Sequence, residues 1–472
     1  VSAMYVAGEW IGREDATVVS PFDGEPVGTV PEATPAEVER ALRAAVAGAA
    51  AMRALPGAER TAILRRAADR ADAKVEDLAR TIARESGKTL TEARGEAGRA
   101  GELLRVSAAE GARMHGETLP LDASPGAVGK LGFTLRQPCG VVVAIAPFNF
   151  PLLLVLHKVA PALAAGNAVI LKPATQTPLT ALALTELLVG AGLPDHALQC
   201  LTGAGGRLGP LLCRDHRVRK VSFTGSTAVG ERIAAVAGVK RLSLELGASC
   251  PTLVLADADL DQAARAIATG GYANAGQVCI SVQRVLVDRA VHGDLLDALL
   301  PQVDAIRPGD PLADGTTMGP LISEDEARRV QTVVAAAGAR GARLLTGGER
   351  DGALVSPAVV DGVDPSDPLS QDELFGPAIA VTTVDGVAEA IRVANDTSYG
   401  LGAGVFTRDI QAALRFVRDV DCGALHVNWT PLWRADPMPY GGLKGSGIGK
   451  EGPRYAVQEM TELKAVVFHD VD

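Results

Sequence analysis

Aromatic residues are scarce. Phe, Trp and Tyr make up 4% of the 472 residues, so a chain that is 47% hydrophobic must fill its interior mostly with Ala, Val and Leu. Cysteine is sparse and shows no pairing. The six cysteines, at 139, 200, 213, 250, 279 and 422, include no C-x-x-C, which argues against a disulfide framework or a structural zinc centre. Positive charge is in deficit: 46 Lys and Arg against 56 Asp and Glu give a net charge of -10. That is the wrong sign for a surface that grips nucleic acid or an anionic membrane. Long apolar runs are missing as well, since "GVVVAIAP" and "LLLVL" fall far short of the roughly 20 residues that span a bilayer. The segment "VSAMYVAGEWIGRED" has no basic stretch leading into an apolar one, the mark of a secretory leader. The expectation is a cytoplasmic protein with free thiols that binds neither nucleic acid nor membrane.

Two phosphate-binding signatures are also absent. "FTGSTAVGER" carries Glu231 where a Walker A loop needs Lys, and "GAGGRLG" lacks the last glycine of G-x-G-x-x-G. A dinucleotide held by the usual glycine turn is therefore not indicated.

What is present is regular. A chain of 472 residues exceeds what one hydrophobic core organises, so two or three domains are expected. Residues 35–113 carry helical patterns with few breaks, opened by Thr34 as a candidate N-cap and Pro35 at the first helical position. "HGETLPLDASPGAVGKLGFTLRQP" mixes turn residues with alternating apolar positions and predicts an extended excursion. Beyond it, strand-like "GVVVAIAP", "NAVILKP", "ALQCLTG" and "KVSFTGS" are interleaved with helical "LLLVLHKVAPALAAG" and "TPLTALALTELLVGAG". Near-continuous apolar strands alternating with helices predict an α/β fold whose parallel sheet is covered on both faces. A second series runs from "CPTLVLADADLDQAARAIATGG" through "SVQRVLVDR" and "PAIAVTTV" to "GALHVN", and "TELKAVVFHD" is shaped like a further strand.

Several polar residues stand at the ends of these strands. Asn149 in "PFNFP" occupies a tight turn after the first parallel strand, as an oxyanion donor or as a simple turn-former. Lys172 and Thr175 in "LKPAT" end the next strand. "FTGSTAVG" runs from a strand into a helix, offering backbone N–H groups and a helix dipole to an anion. Glu245 in "LELG" lies between leucines, surroundings that raise a carboxyl pKa and suit a general base. Cys279 in "GQVC" is on its own more simply a small buried apolar residue than a nucleophile. Taken with the others, it reads as the thiolate of a thiolate, base and oxyanion-donor set around one carbonyl carbon.

These pieces, with "ELFGP" and "PYGGLKGSG", resemble the aldehyde dehydrogenase superfamily in order and spacing over nearly the entire chain. The resemblance implies two open parallel-sheet, Rossmann-like domains and a β-arm. Residues 1–115 and 137–247 would form the cofactor-binding domain, 248–445 the catalytic domain, and 116–136 with 446–472 an oligomerisation arm, in a homodimer or homotetramer. It also implies that Cys279 attacks an aldehyde, that Asn149 holds the oxyanion, that hydride passes to NAD(P)+, and that Glu245 activates water to hydrolyse the thioester. Lys172 would meet the adenosine ribose, Gly225 and Ser226 the pyrophosphate, and Glu373 with Phe375 the nicotinamide ribose. Leu246 would meet the carboxamide, and Pro147 and Phe148 complete the cofactor site.

Two departures from the family pattern stand out. NAD-preferring members often carry Glu where this chain has Thr175, and a Glu would repel a 2′-phosphate. NADP is therefore favoured over NAD. "LELGASC" has Ala248 and Ser249 where Gly and often Lys are commoner. In "NWTPLWRADPMPYGG" the expected substrate residues are Trp429, Arg434 and the nearby His426. Val278 replaces the Arg that commonly precedes the nucleophile in members acting on phosphorylated substrates, which argues against a simple glyceraldehyde-3-phosphate assignment. The forms resemble a subgroup with lactaldehyde-type and phosphonoformaldehyde dehydrogenases, and the expected substrate is a small aldehyde, with phosphonate-, phosphate- or carboxylate-bearing ones as the lead. A CoA-acylating semialdehyde dehydrogenase and an acyl-phosphate reductase are disfavoured by Glu245, and a non-enzymatic structural member by Cys279.

Overall fold

The structure, a computed structural model, describes residues 2–469. The helical patterning after residue 34 becomes five helices, Pro35–Ala54, Gly57–Asp72, Val75–Ser86, Leu90–Ala97 and Ala100–Ala112. Thr34 caps the first through a capping box with Glu37, satisfying amides that a helix start leaves open.

The first strand series forms one eight-stranded sheet. Its five central strands, Leu198–Cys200, Ala168–Lys172, Val141–Ile145, Val218–Thr224 and Arg241–Glu245, all run parallel. Strand Val141–Ile145 is the first of these in sequence yet lies in their middle, so the chain winds outward from it in both directions. Such a switch point opens a crevice at the carboxyl ends of the strands. Strands Val141–Ile145 and Ala168–Lys172 are buried throughout, and helices such as Leu153–Ala164 and Pro178–Gly190 pack apolar residues onto the sheet.

The second series forms a seven-stranded sheet in the order Arg343–Thr346, Ala358–Asp361, Ala378–Val384, Val282–Asp288, Cys250–Val254, Gly402–Phe406 and Ala424–Val427. All its pairings are parallel except that of Arg343–Thr346 with Ala358–Asp361. The predicted excursion and last strand meet in an antiparallel ribbon of Thr461–Phe468, Leu131–Pro138 and Thr118–Leu119. Leu131, Leu135, Leu463 and Phe468 are exposed on it.

Within 446–472 the chain first returns to the eight-stranded sheet. Gly447–Ile448 pairs antiparallel with Leu244 and Glu245, and Val457 and Met460 sink into the apolar core under helix Leu153–Ala164. Of that segment, Thr461–Phe468 enters the ribbon, and 470–472 fall outside the described residues. Among the described residues, no helix is long and apolar enough to cross a membrane.

Candidate active site

A cavity of about 580 Å³ lies between the two sheets. Pro147, Phe148, Asn149, Lys172, Thr175, Gly225, Ser226 and Leu246 line it from turns after four parallel strands of the eight-stranded sheet. Gln277, Cys279, Glu373 and Phe375 line it from the other side. Eleven of the sequence-predicted residues thus share one crevice.

At one end the cavity suits an anion. A Cβ on Gly225 would meet the Phe223 ring at 2.5 Å, so only glycine lets a ligand approach the backbone here. Ser226 N-caps helix Thr227–Ala237 without bonding its side chain to the helix's own amides, which leaves the helix start open to phosphate. Lys172 is buried, and burial pushes its ammonium pKa down to about 8. Its Nζ donates to Thr175 Oγ1 at 3.4 Å, and the Thr175 hydroxyl donates to the Gly203 carbonyl at 3.3 Å. The cap of the following helix is Thr177, which leaves Thr175 exposed beside Lys172. Glycine cradle, helix N-terminus and lysine together fit the phosphates and ribose of a dinucleotide.

Glu373 is half-buried, and desolvation raises its carboxyl pKa to about 7 against the pull of the Ala248 N–H, from which it accepts at 3.1 Å. Phe375 sits at φ 51 and presents its ring edge-on to Phe148 at 5.9 Å.

At the other end Cys279 follows a backward kink. Asn274, Ala275 and Gly276 all have positive φ, and a Cβ on Gly276 would lie 2.1 Å from the Gly376 carbonyl oxygen. Asn149 donates from Nδ2 to the Gln277 carbonyl at 2.8 Å, one turn of chain before Cys279. Burial pushes the Cys279 thiol up to about 12, with a hydrogen bond from Tyr440 opposing it. The resting thiol is therefore protonated.

Glu245 is buried with neither carboxylate oxygen hydrogen-bonded. Burial raises its pKa, the negative charge of Glu451 adds to the rise, and Lys158 and Arg434 oppose it. Gly441 makes room for it, since a Cβ there would stand 2.6 Å from Glu245 Oε1. Burial acts on Glu451 in the same sense, but Lys158 Nζ donating at 2.6 Å and Arg434 at 3.3 Å hold it ionised. Two neighbouring carboxyls thus take opposite states, one neutral-leaning and one charged.

Sequence reasoning missed Tyr440, Glu451, Lys158 and His157. The signal for Lys158 and His157 was two polar residues inside the otherwise apolar "LLLVLHKVAP". Tyr440 lay unassigned within "PYGG". Of the expected substrate residues, Arg434 joins this buried network, though it does not itself line the cavity. It stacks on the Tyr440 ring at 3.8 Å and approaches His157 Nδ1 at 3.3 Å. Burial, then the charge of Arg434, lowers the His157 pKa to about 4, so that ring is neutral. His426 sits instead against Trp433, ring centres 6.2 Å apart, and Trp429 is exposed; neither lines the cavity.

Comparison with known proteins agrees with this geometry. Residues 10–466 match the model described as the aldehyde dehydrogenase family. A 3-sulfolactaldehyde dehydrogenase of Priestia aryabhattai is 43% identical over 467 residues, covering 99% of this chain and 98% of that protein. A lactaldehyde dehydrogenase of Methanococcus vannielii is 36% identical over 472 residues, covering 99% of this chain and 100% of that protein. The crystal structure of a glyceraldehyde-3-phosphate dehydrogenase from Methanocaldococcus jannaschii, complexed with NADP, is 37% identical. It superposes with a TM-score of 0.93 over 97% of this chain and 100% of that one.

Proposed function

Because the chain belongs to the aldehyde dehydrogenase family and oxidises aldehydes with NAD(P)+, we propose that Cys279 is its nucleophile, Asn149 its oxyanion donor and Glu245 its hydrolytic base. The observation that carries this reading is the shared cavity. Cys279, Asn149 and the predicted cofactor residues line one crevice at the carboxyl ends of parallel strands.

The Cys279 thiol gives up its proton to solvent as its sulfur bonds to the aldehyde carbon, and the carbonyl oxygen becomes an oxyanion facing the Asn149 amide and the Cys279 backbone N–H. Lys172, Ser226 and Glu373 hold NAD(P)+, which when bound supplies the hydride acceptor. Glu245, unpaired and raised in pKa, then takes a proton from the water that cleaves the thioester, and Cys279 is freed. The burial that raises its carboxyl pKa makes Glu245, once ionised, a stronger base than an exposed carboxylate.

NADP+ is the preferred cofactor. Thr175 contributes a hydroxyl and Lys172 a positive charge where an acid would repel the 2′-phosphate, and charge-assisted hydrogen bonds contribute about 1.5–3 kcal/mol each. The substrate is a small aldehyde bearing an anionic group such as a phosphonate, phosphate or carboxylate, met by Arg434. The sulfonate- and phosphate-bearing substrates named for two relatives support this.

The domain division is the one given above, except that 446–460 go with the eight-stranded sheet and its core, and the ribbon is an arm that docks on a second subunit. Its unpaired edges and exposed Leu131, Leu135, Leu463 and Phe468 support assembly into a homodimer or homotetramer. Its compartment is the cytoplasm.

The test is NAD(P)H absorbance over a panel of short neutral and anionic aldehydes, with NAD+ and NADP+, with and without CoA. CoA-independent turnover, fastest with an anionic aldehyde and NADP+, is expected. Strict dependence on CoA would overturn the hydrolytic mechanism.

A further inference from the structure

Asn149 and Cys279 stand on turns of different sheets. Asn149 follows strand Val141–Ile145 of the eight-stranded sheet, and Cys279 precedes strand Val282–Asp288 of the seven-stranded one. Their spacing therefore depends on what ties those two turns together. Helix Leu90–Ala97 carries two carboxylates, Glu92 and Glu96, one helical turn apart on the same face. Neither lines the cavity; each holds one of the turns.

Glu92 acts in two directions. Its Oε2 accepts from the Thr89 N–H at 3.2 Å and the Thr89 hydroxyl at 2.7 Å, closing the capping box of its own helix. Its Oε1 accepts from the Asn274 N–H at 2.7 Å, across 182 positions of chain. Asn274 begins the kink ahead of Cys279 at φ 50, a left-handed conformation that a residue other than glycine keeps only under restraint. The Asn274 side chain passes that restraint on, its Nδ2 donating at 3.4 Å to the carbonyls of both Asn149 and Gln277. The Gln277 carbonyl is the one that also anchors the Asn149 amide.

Buried Glu96 holds the other turn. Its Oε1 accepts from the N–H groups of Leu152 and Leu153 at 3.0 and 3.1 Å. These amides open helix Leu153–Ala164 just past Asn149, and Leu152 supplies no side-chain cap for them. Its Oε2 accepts from Lys88 Nζ at 2.6 Å, and that ammonium lies 3.5 Å from the centre of the Phe150 ring.

We propose that Glu92 and Glu96 are positioning residues that fix the Asn149 amide at its working distance from Cys279. An amide nitrogen carries two hydrogens; one is bonded to Gln277, and the other serves the oxyanion. A donor of this kind stabilises the oxyanion only where it is already aimed when charge develops. The inference rests on Cys279 as nucleophile and Asn149 as oxyanion donor, and adds what holds them together.

The test compares kcat/KM for a good aldehyde at saturating NADP+ with the rate at which iodomethane alkylates Cys279. Alkylation displaces iodide by sulfur and forms no oxyanion. Glu92→Asp keeps a carboxylate at the third helical position but shortens its reach by one methylene. Glu92→Asp and Glu92→Ala should each lower kcat/KM by about 10- to 100-fold, with the alkylation rate and the KM for NADP+ unchanged. Glu92→Gln keeps an acceptor oxygen at full length and should recover most of the loss. Adding either variant to Asn149→Ala should cost almost nothing more, because the donor it aims is already gone. An unchanged kcat/KM, equal losses in oxidation and alkylation, or losses that multiply with Asn149→Ala would overturn the proposal. Should Glu92→Ala not fold, Glu92→Asp carries the same comparisons. Failure of the underlying reading is separately visible, since Asn149→Ala alone would then leave aldehyde oxidation unchanged.

Discussion

The two ends of the cavity differ in how far water reaches them. Around Cys279 the ionisable groups Glu245, Glu451, Lys158 and His157 are all buried. Burial drives the Cys279 thiol and the Glu245 carboxyl toward their neutral forms, while Lys158 and Arg434 keep Glu451 charged. At the Lys172 end Thr175, Gln176 and Ser226 are exposed, while Lys172 beside them is buried. In a dry chamber each charge depends on a specific partner, so single changes there should be costly. At a wet rim the same kind of change redistributes preference between ligands and leaves the fold intact.

The largest effect should come from the dry end. Cys279→Ala should lower turnover by about 10⁴-fold or more, read as NAD(P)H production, because among the described residues no other thiol lines the cavity. Retained turnover would place the nucleophile elsewhere. Next, Lys158→Met should destabilise the protein by about 3–5 kcal/mol, because it strips Glu451 of its shortest ion pair inside the core. Thermal and denaturant unfolding measure this, and an unchanged midpoint would mean that water or Arg434 already solvates Glu451.

At the wet end, Thr175→Glu should reduce kcat/KM for NADP+ by about tenfold or more and leave NAD+ and thermal stability nearly unchanged. Equal losses for both cofactors would erase the contrast between the two ends. The smallest effect is one of pH. Lys172 has an ammonium pKa lowered to about 8, so its charge is present below that pH and lost above it. kcat/KM for NADP+ should therefore decline as pH rises through about 8, while kcat/KM for NAD+ follows no such step. A profile identical for both cofactors would remove Lys172 from the 2′-phosphate.

The same contrast marks what could be read from the sequence. The residues at the Lys172 end were legible as strand-end positions, where local pattern alone sets the place. Lys172 closes an apolar run and Gly225 opens a helix. Asn149, Glu245 and Cys279 were legible for the same reason, joined by the family's motifs. The network behind them was not. Lys158 and Glu451 are 293 positions apart, and Tyr440 meets Cys279 across 161, distances that no local window spans. Trp429 and His426 were expected at the substrate, but strand Ala424–Val427 lies at the edge of its sheet, and the chain turns at Asn428 with φ 56. The closing segment misled in a similar way. Gly447–Ile448 is too short to signal a strand, and only pairing with Glu245 makes it one.

The central claim is that Cys279 carries the acyl group and Glu245 releases it. Glu245→Gln, mixed rapidly with a good aldehyde and excess NADP+, tests both halves at once. The account predicts a burst of about one NADPH per active site, slow turnover afterwards, and an acyl adduct on the Cys279 peptide by mass spectrometry. Absence of the burst, or an adduct on any other residue, would contradict it.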